Sequence, residues 1–388
     1  MKNFNITVQK FGGSSVADAQ KIKRVASFIK SSLDLEVNRR ICVVVSAMGH
    51  TTNELISLAH QVSKNPEKRE LDMLISCGER SSMALLAMAL LELGIKAVSL
   101  TGSQSGIITN GDHGEAQIIA VRPHRVQDAL VSHQVVIIAG FQGVSENREI
   151  TTLRRGGSDT TAVAMAAALK AETCEIYTDV PGVMDIDPKI SRKTTQVFHE
   201  LGSDRMEAMA LYGAKVMAHD AIHLAKALNV NIRVAETGDA HSGTRITNSA
   251  LEIANDPKLS FTHLRAVVQF SLDVLARPSF SNKSGYFLCG SSRDGKFVGY
   301  LSNDIAQELI SVGEAGVAAG LALITLHLTE NHMALSILVQ VTELCKKHGI
   351  SLIDVLLGHN EVFVVVADYQ LSEALAILHA GITIAKDF

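Results

Sequence analysis

The chain predicts an α/β protein in which a largely parallel sheet is covered by helices on both faces and a ferredoxin-like region follows. Three observations carry this. Apolar runs of strand length alternate with helical patterns from the start to about residue 236, at two places a glycine pair opens a helical segment, and beyond Gly238 the order becomes βαββαβ. Strict alternation implies right-handed crossovers between parallel strands. Ligands then bind outside the carboxyl ends of the strands, where the glycine turns fall.

The first strand, 6–11, runs into Gly12-Gly13-Ser14-Ser15, and a helical pattern extends from Ala17 to about Lys30. Residues 41–45, 97–100, 135–139, 174–177 and 231–234 read as short buried strands, and 71–93 and 204–228 as helices. Pro66-Glu67-Lys68-Arg69-Glu70 reads as a solvated helix start, and Met83, Met88, Met206 and Met209 as core fillers at helical spacing. In the last part, 321–329 is a strand, 333–348 a helix, 350–357 and 361–367 two strands, 371–379 a helix and 382–386 a final strand. Residues 263–312 suggest a second copy, with strands at 264–272, 286–290 and 297–301 and a helix at 303–310. Where its first helix should stand, Arg277-Pro278-Ser279-Phe280-Ser281-Asn282 holds a proline and turn formers.

At 388 residues the chain exceeds one core, so two or three domains are expected. The hydrophobic share of 47% with only 4% aromatic predicts cores of Ala, Leu, Ile, Val and Met, and a net charge of −4 gives no basic field for nucleic acid. Five cysteines show no metal-binding spacing and read mostly as reduced core residues. No signal-peptide stretch and no apolar run of membrane-spanning length stands out, which points to the cytoplasm. His219 and His223 have i,i+4 spacing without a third ligand, so no metal site is expected from the protein side chains.

Gly156-Gly157-Ser158-Asp159 immediately precedes a small-residue apolar helix. Glycine permits close backbone approach, and the first-turn N–H groups and helix dipole favour an anion. An ordinary Ser/Asp N-cap is the simpler reading of that tetrapeptide alone. The earlier glycine pair, preceded by Lys10, fits a phosphate cradle, although neither the P-loop order nor GxGxxG occurs.

The whole pattern resembles the aspartokinases of the amino acid kinase superfamily. The resemblance rests on Lys10-Phe11-Gly12-Gly13-Ser14-Ser15-Val16, Val43-Val44-Val45-Ser46-Ala47-Met48-Gly49 with Thr51-Thr52-Asn53, and Cys77-Gly78-Glu79-Arg80. Further along it rests on Thr101-Gly102-Ser103-Gln104-Ser105-Gly106, Ala139-Gly140-Phe141-Gln142-Gly143, Arg155-Gly156-Gly157-Ser158-Asp159, Tyr177-Thr178-Asp179-Val180-Pro181-Gly182-Val183 and Tyr212-Gly213-Ala214-Lys215-Val216. It implies a kinase domain at 1–247, a linker with a divergent first ACT-like module at 248–320, and a second ACT module at 321–388 whose last strand could complete the first.

The resemblance implies transfer of the ATP γ-phosphoryl group, with Mg2+, to the β-carboxylate of L-aspartate, giving 4-phospho-L-aspartate and opening the route to lysine, threonine and methionine. Catalysis of that kind needs cations, N–H donors and positioning. By the resemblance, Lys10 with the Gly12 and Gly13 amides neutralises the transferring group, Lys215 is the nucleotide-side lysine, and Asp159 holds the lysines. Arg155 meets a substrate carboxylate, Ser158 and Thr52 donate hydroxyls, and Glu79 accepts from the amino group. Ser46, Phe141, Gly156 and Gly157 line that pocket. Ser14, Thr178, Asp179, Met184 and Lys189 fall on the nucleotide side. An amino-acid effector, lysine or threonine or both, is expected at Thr329, Asn331 and His332, in a homodimer or higher oligomer paired through ACT modules.

Arg154 stands where the family usually has glycine, and Met184 and Lys189 replace a usual Tyr and Arg. A low-activity regulatory subunit and a kinase for another acidic amino acid such as glutamate are the alternatives.

Overall fold

The computed structural model describes residues 4–36, 38–190, 195–249, 257–273, 289–293, 296–302, 317–329 and 333–382. They divide into two compact units. The first is Met1–Val183, Phe198–Glu207 and Val216–Ile253, and the second is Met184–Val197, Ala208–Lys215 and Ala254–Phe388.

In the first unit eight of the described strands form one sheet in the order Glu200–Gly202, Thr244–Thr247, Ile232–Glu236, Cys174–Thr178, Asn5–Phe11, Arg39–Val45, Val135–Ala139 and Ala97–Leu100. All neighbours run parallel except Ile232–Glu236 against Thr244–Thr247. The central strands are buried on both faces, which is why they read as unbroken apolar runs. Helices Ala19–Asp34 and Cys77–Glu92 supply Ile22, Val25, Ile29, Leu86 and Leu90 to a core with Val43, Val45 and Ile137. Although aromatics are scarce, Phe11 stacks on Tyr177 at 5.0 Å and Phe28 meets Tyr177 edge-on. The helix Gly157–Leu169 is buried along nearly its whole length, so its small alanines let it sit close to the strands.

Two expected helices are broken. Residues 71–93 fall in two helices, Lys68–Ile75 and Cys77–Glu92, separated at Ser76, with Glu67 accepting from the Glu70 N–H as N-cap. Contrary to the expectation of no such run, the stretch Lys68–Glu92 is long and apolar enough to cross a membrane by length and composition alone; half of its most apolar window is buried inside the protein. Residues 204–228 also divide, into Ser203–Leu211 and His219–Leu228, because the intervening Gly213 has a φ of +108° that no helix continues. Met83, Met206 and Met209 are buried as expected, but Met88 is 63% exposed because it lies on the outward face of its helix.

A second sheet of this unit departs from the expected elements. Ile118–Val121, Ile107–Thr109, Gln142–Ser145 and Ile150–Thr152 pair in that order, and the loop between the first two named, residues 110–117, carries His113, Gly114 and Glu115.

In the second unit six described strands form an antiparallel sheet, ordered Cys289–Arg293, Lys296–Ser302, Leu259–Asp273, Val317–Leu328, Glu361–Ala367 and Leu352–Leu357. With helices Ala334–His348 and Leu371–Gly381, the last three strands give the ferredoxin-like order through its second helix. Strand Leu259–Asp273 flanks Val317–Leu328 on the edge that the module's own final strand would otherwise use. The expected final strand beyond Ile382, the helix at 303–310 and the Arg277–Asn282 turn lie outside the described residues.

Candidate active site

Three motifs meet backbone to backbone at the carboxyl ends of the first two strands. A Cβ on Gly13 would stand 2.9 Å from the Ala47 carbonyl oxygen, and one on Gly78 would stand 2.7 Å from the Ala47 Cβ. The Gly49 N–H donates to the Gly13 carbonyl at 3.1 Å, and the Ser46 N–H to the Phe11 carbonyl at 3.1 Å. This packing brings Glu79 beneath the turn, where the Ala47 N–H donates to Glu79 Oε1 at 3.1 Å.

Beside these turns lies a cavity of about 650 Å³. Lys10, Gly13, Ser46, Thr52, Glu79, Phe141, Arg155, Gly156, Gly157, Ser158 and Asp159 all line it. Within it Lys10 Nζ lies 2.6 Å from Asp159 Oδ1, both side chains almost buried. The helix bearing Asp159 is capped by Gly156, with no side-chain cap, so the Ser/Asp N-cap reading is replaced by this ion pair. Gly156 has a φ of +81°, and a Cβ there would stand 2.2 Å from the Ala218 Cβ. Phe141 also holds a left-handed φ of 65°, fixed by its N–H to Thr161 Oγ1 at 3.2 Å and its carbonyl to the Leu153 N–H at 2.8 Å.

Not every expected donor is available. The Gly12 N–H donates to the Tyr177 carbonyl at 3.3 Å, so of the paired glycines only Gly13 borders the cavity. Ser14 is exposed, and its carbonyl accepts from Lys21 Nζ at 2.9 Å. Thr178 ends, and Asp179 follows, the strand paired with Asn5–Phe11, with Asp179 exposed and accepting from the Thr178 hydroxyl at 3.1 Å. Met184, Lys189 and Lys215 belong to the second unit, where Lys189 and Lys215 are exposed. Thr329 follows the strand Val317–Leu328 and is half-buried, whereas Asn331 and His332 lie outside the described residues.

Glu79 is 3% exposed, and its Oε2 has no hydrogen-bond partner among the described residues. Burial pushes its carboxyl up to about 7, against the pull of backbone hydrogen bonds that include the Ala47 N–H. A raised carboxyl favours the folded state while protonated and disfavours it as pH climbs through the folded value. Glu79→Gln should therefore unfold at a higher temperature than the parent above pH 7, by an amount worth about 2–3 kcal/mol, with the gap closing towards pH 4.5. Thermal melts from pH 5 to 8.5 check this; a gap independent of pH would contradict it.

Sequence reasoning missed a further buried acid, Asp72. Asp72 is fully buried at the cavity, where it accepts from the Gly114 N–H at 3.1 Å and from the Thr152 hydroxyl, and its Oδ2 lies 2.7 Å from His113 Nδ1. Two residues beyond His113, Glu115 Oε2 lies 3.5 Å from Arg154 Nη2, so the unusual arginine is paired at the cavity margin. No local signal marks Asp72 and His113, which are 41 residues apart. Away from the cavity, His223 Nδ1 sits 2.7 Å from Glu207, and no group of metal-ligating side chains occurs among the described residues.

A mainly parallel sheet ending in glycine turns, with a lysine–aspartate pair in a cavity that also holds a buried carboxyl with one unpartnered oxygen, defines an α/β protein whose cavity suits small charged ligands. The amino acid kinase family profile matches residues 5–236, and the chain belongs to that family. Over 249 residues it is 49% identical to the aspartokinase of Mycolicibacterium smegmatis, a match covering 64% of this chain and 58% of that protein. It is 50% identical over 241 residues to the Geobacillus stearothermophilus aspartokinase, covering 62% and 58% respectively. The matched region thus spans less than two thirds of these curated relatives. Among solved structures, E. coli aspartokinase III in complex with aspartate and ADP has a TM-score of 0.83 at 22% identity, covering 97% of this chain and 99% of that one, a likeness of fold. The aspartate kinase of Synechocystis has a TM-score of 0.57 at 32% identity, covering 98% of this chain and 70% of that one.

Proposed function

We propose that this protein is an aspartate kinase, transferring the γ-phosphoryl group of ATP to the β-carboxylate of L-aspartate. The observation that carries the reading is the cavity's pairing of opposite charges: the Lys10–Asp159 ion pair and the exposed Arg155 share it with the unpartnered oxygen of Glu79. An amino acid with two carboxylates and one ammonium matches that set.

An oxygen of the aspartate β-carboxylate attacks the γ-phosphorus as the bond to ADP breaks, and because this nucleophile is already ionised at neutral pH no general base is needed. Lys10 neutralises charge on the transferring group, and Asp159 keeps its ammonium in place. Arg155 grips a substrate carboxylate, Glu79 takes the ammonium, Ser158 and Thr52 donate hydroxyls, and Ser46 and Phe141 shape the wall. Asp179 and Thr178 supply oxygen donors suited to Mg2+, which would offset phosphate charge when bound. Lys215, Met184 and Lys189 serve the nucleotide. On this reading residues 1–247 are catalytic, 248–320 a linker with a divergent ACT-like module and 321–388 an ACT module, in a cytoplasmic homodimer or larger oligomer.

Purified protein with MgATP and hydroxylamine should form the hydroxamate of L-aspartate and far less of L-glutamate; preference for glutamate would replace the substrate, and no product from either would remove the activity. Arg155→Lys should raise KM for aspartate at least tenfold with KM for ATP nearly unchanged, because lysine cannot form a bidentate clamp. Lysine and threonine added to the same assay, alone and together, test feedback through Thr329, Asn331 and His332 in the ACT region.

A further inference from the structure

We propose that His379 is a nucleotide-positioning residue: through Asp185 it holds the stretch Met184–Ile190 in the arrangement in which Met184 and Lys189 meet ATP. The proposal rests on the reading of those two residues as nucleotide contacts. His379 stands in the last turn of helix Leu371–Gly381, 194 residues from Asp185 in sequence.

Burial along the stretch separates anchors from contacts. Asp185 and Ile186 are buried, Met184 is half-buried and Lys189 is exposed. Ile186 belongs to one buried cluster of the second unit with Leu371, Ala374, Leu375 and Leu378 of the helix that carries His379. Apolar packing of this kind sets depth but not angle, because it is non-directional.

Direction comes from Asp185. Its Oδ2 lies 3.1 Å from His379 Nε2, its Oδ1 accepts from the Gln196 N–H at 2.8 Å, and its carbonyl oxygen accepts from the Phe261 N–H at 2.6 Å. A carboxylate only 7% exposed is costly to bury unless its oxygens are bonded, and His379 supplies the bond to Oδ2. The Phe261 ring, edge-on to the imidazole at 5.4 Å, backs that contact. The turn carrying Lys189 is closed on Asp187, whose Oδ1 accepts from the Lys189 N–H at 2.9 Å and whose carbonyl accepts from the Ile190 N–H at 2.9 Å, so it follows the anchors. An apolar pair would serve stability as well. A directional pair fixes one orientation of the stretch, and side chains held in place beforehand lose less freedom on gripping a ligand.

Three variants separate positioning from plain packing. His379→Leu removes the bond and strands the carboxylate; adding Asp185→Asn discharges it while the amide oxygen still accepts from Gln196; in His379→Gln the amide nitrogen reaches the place of Nε2. Hydroxamate turnover, thermal melts and calorimetric titration with MgADP are measured on the parent and each variant. Positioning predicts KM for ATP and Kd for MgADP raised roughly tenfold in His379→Leu, and still raised in the double variant although its Tm recovers. KM for aspartate and kcat at saturating ATP stay near the parent, and His379→Gln binds nucleotide within about threefold of it. Parental nucleotide constants in the double variant assign the pair to stability alone and overturn the proposal, as does an equal rise for both substrates. If the parent binds MgADP without forming hydroxamate, the kinase reading falls while the Kd values still decide the role of His379. If the parent binds no MgADP, both fall.

Discussion

Lys10→Ala lowers turnover by about a thousandfold or more while the protein stays folded. Lys10 Nζ is 2.6 Å from Asp159 and close to Gly12, whose Cβ position lies 3.5 Å from the same nitrogen. On the proposed function a cation fixed there acts on the transferring phosphoryl group, and removing such a preorganised charge costs about 4 kcal/mol of transition-state stabilisation. The substitution also strands Asp159, so some loss of Tm accompanies it. The double variant Lys10→Ala with Asp159→Asn separates the two effects: it regains Tm without regaining turnover. Single-turnover hydroxamate formation alongside thermal melts provides the check, and near-normal turnover in Lys10→Ala would remove Lys10 from the chemistry.

Gly156→Ala destabilises the protein by about 3 kcal/mol or more and strips most of its activity. At a φ of +81° an alanine carries backbone strain of roughly 1–2 kcal/mol, and its Cβ would stand only 2.2 Å from that of Ala218, which forces the chain to move. What moves is the start of the Gly157–Leu169 helix, which presents Ser158 and Asp159 to the cavity. Gly94 offers the control: its φ is +77° and nothing lies within 4 Å of where a Cβ would stand, so Gly94→Ala bears the strain alone. Urea unfolding midpoints compare them; equal losses would show that the contact with Ala218 yields without cost.

The central strands were legible because burial on both faces leaves an unbroken apolar run: 97–100 and 135–139 match the observed strands to the residue. Breaks inside helical patterns were not. Ser76 and the Tyr212–Ala218 segment interrupt two apolar periodicities for tertiary reasons, in the first case just ahead of Gly78, which must clear Ala47. The small sheet escaped because its strands, three or four residues each, are too short for alternation to register.

At the site, composition and spacing gave two anion-holding glycine turns, and the resemblance to aspartokinases gave individual roles. Lys10, Glu79, Arg155, Ser158 and Asp159 do converge on one cavity. Asp72 lay hidden because an acid on an otherwise solvated helix start looks like a surface residue; only folding removes it from water and sets His113 against it. The Gly12 amide failed for a similar reason, its partner Tyr177 being remote in sequence.

The crowding of Gly13, Ala47 and Gly78 has a consequence for how such a site can be inherited or transplanted. Gly13 is small because the Ala47 carbonyl oxygen occupies the space a Cβ would need, and Gly78 because the Ala47 Cβ does. Their identities are therefore conditions on one another, not three separate requirements of a ligand. A designer moving this cavity to another scaffold would have to carry all three turns as a single graft, at fixed mutual spacing. A lineage that enlarged one of them would have to rebuild the other two before Glu79 again lay beneath the Ala47 amide.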